Sequence, residues 1–219
     1  MKKVLVFNGS PRKSGNTSHL LFAFIQGAKV NTVDIEEIDV NKLNLKHCTG
    51  CLRCNMIKHC SLREDDWNEI SRKILDADVL VFGSPVYFHH VTGPLKILID
   101  RFRSFVHVRI TESGLVHTPH ISWKKEMVLI LSMGSSDDAD AKPVIDLFEY
   151  LTEIMGDENN LYVLTGTRLA VTNHVIKSGE ELKLLYPKLV LPASLAANDA
   201  LKNRNLLESC STLGKSLTD

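Results

Sequence analysis

The feature that most limits the possible folds is a regular alternation of apolar strand-like segments with amphipathic helical segments. Strands are predicted at 3–7, 33–40, 79–83, 127–131 and 161–164, and helices at 19–29, 66–75, 93–102, 143–155 and 193–217. Strands that alternate with helices form a parallel sheet with helices on both faces. Right-handed crossovers then predict a doubly wound α/β fold with five strands in the order 2-1-3-4-5. No repeat or linker divides the chain, so we expect residues 1–219 to form one domain.

The charge balance and the apolar runs argue against several kinds of partner. The chain has 26 basic and 26 acidic residues, so it lacks the basic surplus that nucleic acid or an anionic membrane would attract. The apolar run at 4–7 has four residues, whereas an export signal needs roughly 7–15. No run approaches the ~20 residues of a membrane span. We therefore expect a cytoplasmic protein with no nucleic-acid or membrane partner.

The loop after the first predicted strand carries residues suited to bind a phosphate. Residues 9–18 read Gly-Ser-Pro-Arg-Lys-Ser-Gly-Asn-Thr-Ser, which is neither a P-loop nor a dinucleotide-binding fingerprint. The candidate ligands are the polar side chains of Ser10, Arg12, Ser14, Asn16, Thr17 and Ser18. Hydrogen-bond donors at a helix start favour a phosphate, and a guanidinium can pair with its charge. The alternative is an ordinary polar turn in which Thr17 or Ser18 caps the helix.

A second loop, at the end of the third predicted strand, offers surface for an aromatic ring. Its candidate residues are Pro85, Val86, Tyr87 and Phe88. A planar heteroaromatic ring would find stacking surface and backbone hydrogen bonds there. Local packing explains such a loop when it occurs alone. Together with the first loop, it predicts a ligand that has both a phosphate and a ring.

Four of the five cysteines lie in one short segment, within a loop predicted at 46–62. Cys48, Cys51, Cys54 and Cys60 have the spacing C-x2-C-x2-C-x5-C. In a reducing compartment such a group is more readily a metal or redox site than a disulfide framework. Three cysteines spaced by two resemble the ligands of a [4Fe–4S] cluster, whereas structural zinc uses two separated pairs. Free cysteines without a cluster are the alternative.

Taken together, these motifs resemble those of the NADPH-dependent FMN reductase family. The resemblance rests on residues 9–17, 84–88 and 93–102, and extends more weakly to about residue 164. It implies a flavodoxin-like fold, with the FMN phosphate in the first loop and the isoalloxazine ring against the second. A third contact is implied from residues 132–137, including Ser132 and Gly134. The cysteine segment is similar to that of the iron–sulfur flavoproteins, a branch of the same family, although it lacks the ferredoxin C-x3-C-P ending.

The resemblance implies an FMN-dependent oxidoreductase in which the flavin carries the chemistry and no protein acid or base is required. NADH, NADPH or a ferredoxin-like protein would donate the electrons, and a [4Fe–4S] cluster would relay them singly to an acceptor. The resemblance also implies a homodimer or homotetramer, with an irregular insertion or β-hairpin at about 105–125 as a candidate contact. The alternatives are a non-catalytic flavodoxin-like electron carrier and a thiol or metal redox sensor.

Overall fold

The computed structural model describes residues 1–219, which form a parallel sheet covered by helices, and a separate two-stranded hairpin. The strands are β1 (Lys2–Asn8), β2 (Val33–Asp39), β3 (Val79–Pro85), β4 (Val106–Thr111), β5 (Gly114–Pro119), β6 (Glu126–Ser132) and β7 (Asn160–Gly166). The helices are α1 (Asn16–Ala28), α2 (Cys54–Ile57), α3 (Trp67–Asp76), α4 (Gly93–Arg101), α5 (Lys142–Ile154), α6 (Gly179–Leu185) and α7 (Ala196–Thr218). None of the helices combines the length and apolarity that a membrane crossing requires.

The five parallel strands lie in the order β2-β1-β3-β6-β7. When only the five strands of this sheet are numbered along the chain, their order is 2-1-3-4-5. The predicted fold class and strand order are therefore confirmed. Side chains of a strand alternate between the two faces of a sheet, which divides the core in two. Val4 and Val6 pack with α1 and α7 on one face, whereas Leu5 and Phe7 pack with α3, α4 and α5 on the other. Burial on both faces explains why these strands are continuously apolar.

Helix α1 begins earlier than predicted and without the predicted cap. Its N-cap is Gly15, and no side chain caps the helix there. The prediction that Thr17 or Ser18 caps α1 is therefore wrong, because both residues already lie in the first helical turn. The structure also contains α6, which we did not predict. A signal for α6 is present in the sequence, since Ser178 and Glu181 form a capping box at its start.

The segment at 105–125 is a regular antiparallel hairpin rather than an irregular insertion. Val106 pairs with Pro119 at its base, and Thr111 pairs with Gly114 at its tip. The hairpin is fastened to α2, within the cysteine segment, by Asn55. The Asn55 amide donates to the Val108 carbonyl at 2.8 Å and accepts from the Val108 N–H at 3.0 Å. The hairpin and the cysteine segment are therefore structurally coupled.

Candidate functional site

A cavity of about 280 Å³ lies at the carboxyl ends of β1, β3 and β6, where the strand order of the sheet reverses. Such a reversal is where open α/β sheets bind ligands. The lining residues are Ser10, Arg12, Gly15, Asn16, Thr17, Pro85, Val86, Tyr87, Ser132, Met133, Gly134, Leu169 and Ala170. The three predicted loops therefore meet at one cavity. Three predicted residues, Ser14, Ser18 and Phe88, do not line it.

The first loop folds around the backbone carbonyl of Arg12. This oxygen accepts hydrogen bonds from the Ser10 hydroxyl at 3.1 Å, the Ser18 hydroxyl at 3.2 Å and the Gly15 N–H at 3.0 Å. The two hydroxyls therefore act within the loop. The first backbone bond of α1 runs from the His19 N–H to the Gly15 carbonyl. The N–H groups of residues 16–18 precede that bond, so they are available to an anion at the helix start.

The side chain of Asn16 has a structural role rather than the predicted contact with a phosphate. Its Nδ2 donates to the carbonyls of Leu169 at 3.0 Å and Val171 at 2.9 Å, and its Oδ1 accepts from the Val175 N–H at 3.0 Å. Both amide protons are therefore already used. The expectation of a free amide for phosphate needs this correction: the side chain of Asn16 fixes the segment after β7, and its backbone N–H is what remains at the cavity.

Close backbone contacts hold the first loop against its neighbours. The Gly9 N–H donates to the Gly83 carbonyl at 2.7 Å, and a Cβ atom on Gly9 would lie 2.8 Å from that oxygen. Only glycine permits this approach without a shift of the backbone. On the cavity side, the buried hydroxyls of Thr17 and Ser132 are 2.7 Å apart and share a hydrogen bond. The first and third loops are thereby linked directly.

The second loop presents a tight turn at the edge of the cavity. Tyr87 and His90 exchange backbone hydrogen bonds of 2.9 and 3.0 Å, and the two residues between them have positive φ angles, 49° for Phe88 and 59° for His89. Positive φ in residues other than glycine is costly and concentrates at functional sites. Phe88 is fully exposed and lines a neighbouring cavity of about 170 Å³, which shares Val86, Met133 and Gly134 with the first.

Two lining residues, Leu169 and Ala170, come from a segment that sequence analysis missed. The segment follows β7 and joins the third loop, since the Leu169 N–H donates to the Met133 carbonyl at 2.8 Å. A partly buried ion pair holds it from behind, with Arg168 Nη2 2.6 Å from Asp199 Oδ1. Burial opposes ionisation of Asp199, but hydrogen bonds from Arg168 and Tyr186 outweigh it and lower the pKa. The sequence did contain a signal for this segment. The last predicted strand ends at the same carboxyl edge of the sheet as the strands that line the cavity, so the residues after it lie nearby.

The four clustered cysteines line a second, much smaller cavity of about 20 Å³. Cys54 is buried, Cys51 is exposed, and Cys48 and Cys60 lie between these extremes. No three acidic, histidine or cysteine side chains are grouped closely enough to hold a single metal ion. Arg101 and Arg103 also line this cavity. The four cysteines therefore line one cavity together with two arginines.

The surroundings of Cys51 and Cys54 shift the pKa values of their thiols in opposite directions. Hydrogen bonds from the Arg53 backbone N–H and from Ser61 lower the pKa of Cys51. Burial raises the pKa of Cys54, partly opposed by the charge of Arg103. The remaining cysteine, Cys210, is buried against α1 and β-sheet residues, and burial raises its pKa to about 12. Cys210 is therefore an apolar core residue.

Comparison with known proteins gives a consistent result. The family model described as NADPH-dependent FMN reductase matches residues 2–170. An iron-sulfur flavoprotein of Archaeoglobus fulgidus is 33% identical over 99 residues, which are 45% of this chain and 44% of that protein. An iron-sulfur flavoprotein of Methanocaldococcus jannaschii is 38% identical over 101 residues, or 46% and 52% of the two chains. The chain thus spans about half the length of the curated relatives it matches.

A solved structure with little sequence similarity shares the whole fold. The FMN-dependent NADH-azoreductase of Bacillus anthracis, in complex with FMN, aligns with a TM-score of 0.59 at 17% identity. The alignment covers 98% of this chain and 100% of the azoreductase. This likeness establishes the flavodoxin-like fold.

Proposed function

Because this chain belongs to the NADPH-dependent FMN reductase family, we propose that it is an FMN-dependent oxidoreductase that binds FMN in the 280 Å³ cavity. The observation that carries this proposal is the cavity itself. One end is lined by the start of α1 and by Arg12, and the other end has the Pro85–Tyr87 loop. A ligand with one phosphate and one flat ring matches both ends.

In this proposal the two ends of the cavity bind different parts of FMN. The N–H groups of residues 16–18 would donate to the phosphate at the positive end of α1, and Arg12 would add charge. Pro85, Val86 and Tyr87 would face the isoalloxazine ring, with Ser132 and Gly134 on the other wall. Ser14 and Ser18 contribute less than the sequence suggested, since neither side chain reaches the cavity lining.

The cavity offers binding and orientation rather than acid–base groups. Arg12 and Tyr87 are the only lining residues with titratable side chains. When bound, FMN would take an electron pair from a reduced nicotinamide and release electrons in pairs or singly. NADH or NADPH is therefore the proposed donor, with a ferredoxin-like protein as the alternative donor. Met133, Leu169 and Ala170 would shield the bound ring from water.

The cysteine cavity supports a second cofactor, a [4Fe–4S] cluster on Cys48, Cys51, Cys54 and Cys60. Each thiolate of such a cluster binds its own iron, so the sulfurs must surround a space rather than converge on one point as zinc ligands do. Four cysteines that line one cavity support such an arrangement, and the two arginines beside them would offset the negative charge of thiolates. A bound cluster would supply one-electron transfer. The names of the two archaeal relatives agree with this proposal.

We also propose that the protein forms a homodimer or homotetramer. The hairpin carries exposed apolar side chains, with Ile110 80% and Leu115 61% exposed. Exposed apolar surface of this kind is typical of protein contacts. Sedimentation velocity is expected to show a dimer or tetramer, whose dissociation constant rises when Leu115 is replaced by Lys. A wild-type protein that stays monomeric while it holds flavin tightly would contradict this part.

The function is tested with anaerobically purified protein and two ligands, FMN and riboflavin. Arg12→Ala should weaken FMN about tenfold, the effect of one charge-assisted hydrogen bond, and leave riboflavin unchanged. Lys13→Ala is the matched control, because Lys13 is a neighbouring exposed cation that does not line the cavity. Equal weakening of both ligands by Arg12→Ala would contradict the phosphate assignment.

The same preparation distinguishes an enzyme from a carrier. Oxidation of NADH or NADPH in the presence of a quinone acceptor is expected, together with about four iron and four sulfide per chain. A protein that binds FMN but oxidises neither nucleotide would instead be an electron carrier. A yellow, iron-free protein with full reductase activity would remove the cluster from the proposal and leave the FMN enzyme.

A further inference from the structure

Two arginines, one at the end of α4 and one two residues beyond it, donate hydrogen bonds to cysteine sulfurs. Arg101 Nη2 lies 3.3 Å from Cys60 Sγ, and Arg103 Nη1 lies 3.4 Å from Cys54 Sγ. A guanidinium keeps its charge at all working pH values. Two fixed positive charges therefore adjoin two of the four proposed cluster ligands, although the arginines are more than forty positions away along the chain.

We propose that Arg101 and Arg103 are positioning residues that raise the reduction potential of the [4Fe–4S] cluster. This inference rests on the proposed function of Cys48, Cys51, Cys54 and Cys60. Reduction adds one electron to the cluster and its thiolates. Hydrogen bonds to the sulfurs and nearby positive charge stabilise that added negative charge, which raises the potential.

Arg101 also closes the cysteine segment at its base. Its Nη1 donates to the Lys46 carbonyl at 2.8 Å and to the Asp65 carboxylate, and its guanidinium lies 5.2 Å from the ring centre of Trp67. Lys46 precedes the first clustered cysteine and Asp65 follows the last. The Arg101 and Asp65 side chains are both fully buried. Burying an ion pair is costly, so this one holds the segment closed around its four thiols at some expense to stability.

Arg103 is held independently of the sulfur that it contacts. Its Nη1 donates to the Val106 carbonyl at 2.7 Å, and its Nη2 donates to Asn55 Oδ1 at 2.9 Å. Asn55 is fixed in turn by two hydrogen bonds to Val108 of β4. The guanidinium is therefore oriented toward Cys54 before any cofactor binds. Such preorganisation is what a residue that tunes a cofactor requires.

The test is a potentiometric titration of the anaerobic holoprotein, with the reduced cluster followed by electron paramagnetic resonance and the flavin by visible absorbance. Arg103→Gln removes one charged donor. We expect the ratio of reduced to oxidised cluster at a fixed potential to fall about tenfold, or ~59 mV for one electron. The flavin potential should stay unchanged and serves as the internal reference. Iron and sulfide are measured in every variant.

Two further variants complete the design. Arg109→Gln is the matched control, because Arg109 is an exposed arginine of β4 outside the cysteine cavity, and its cluster potential should equal that of the wild type. Arg103→Lys keeps the charge but loses the planar fork, and should give an intermediate potential. If Arg103→Gln fails to retain iron, the cluster potential of Arg103→Lys tests the proposal in its place.

The outcomes separate this inference from the function on which it rests. A lowered cluster potential in Arg103→Gln or Arg103→Lys, beside an unchanged Arg109→Gln, supports it. A cluster potential equal to the wild type in Arg103 variants that retain iron would overturn it and leave the proposed cluster intact. A wild-type protein that takes up no iron would overturn the cluster and, with it, the role of both arginines.

Discussion

The two cavities of this protein are built in opposite ways. The 280 Å³ cavity collects residues from the ends of several strands, and its first loop is held by backbone hydrogen bonds together with short hydroxyl side chains. The 20 Å³ cysteine cavity is formed largely by one continuous segment and is closed by the side chains of Arg101 and Arg103. The first site therefore depends on the topology of the sheet. The second depends on a few charged contacts, and single substitutions should affect it more.

The largest effect is expected from Asp65→Asn, which leaves Arg101 buried without its counter-charge. Loss of one partner of a buried ion pair costs about 3–5 kcal/mol. The free energy of unfolding, from denaturant titration of the apoprotein, should fall by that amount. Glu64→Gln is the control, because Glu64 is highly exposed and its ion pair with Lys46 should contribute under 1 kcal/mol. Similar losses in both variants would show that the buried pair has no special importance.

A smaller effect is expected from Asn16→Ala at the other cavity. The variant loses three hydrogen bonds to the segment after β7 and leaves the Leu169 carbonyl and the Val175 N–H unpaired, at a cost of about 2–4 kcal/mol. Because this segment supplies Leu169 and Ala170, FMN and riboflavin should weaken equally. Asn68→Ala, on the exposed side of α3, should change neither stability nor binding. A loss confined to FMN would instead make Asn16 a phosphate ligand.

The smallest effect is a pH dependence that both cavities share. Asp65 and Asp199 each have a pKa below the ordinary value, because hydrogen bonds from Arg101 and Arg168 outweigh the effect of burial. A carboxyl group whose pKa is lower in the folded than in the unfolded state stabilises the folded protein above its unfolded pKa, about 3.9 for Asp. This stabilisation is lost as the pH falls through the folded-state pKa.

Denaturant titrations between pH 7 and 3 test this dependence. The wild-type free energy of unfolding should decrease toward acid pH, and Asp199→Asn should show a shallower decrease because it no longer titrates there. The same slope in both proteins would mean that Asp199 does not contribute.

Much of the fold could be predicted because its signals are local. The alternation of Val4, Leu5, Val6 and Phe7 between two cores is a property of any strand buried on both faces. The crossover rule then left one favoured strand order, and the spacing of four cysteines within thirteen positions was enough to place them around one cavity. The resemblance in the first two loops likewise located the larger cavity.

What the sequence by itself determined was therefore the layered α/β fold, the strand order and the loops that carry each site. Only the tertiary structure decided how individual side chains are used. Asn16 bonds to residues more than 150 positions away, and Arg101 meets Cys60 across 41 positions. Periodicity and turn chemistry act within about ten residues and do not select such distant partners. Those partners are chosen when the packed sheet brings the loops together, since buried polar groups must then pair with whatever lies beside them.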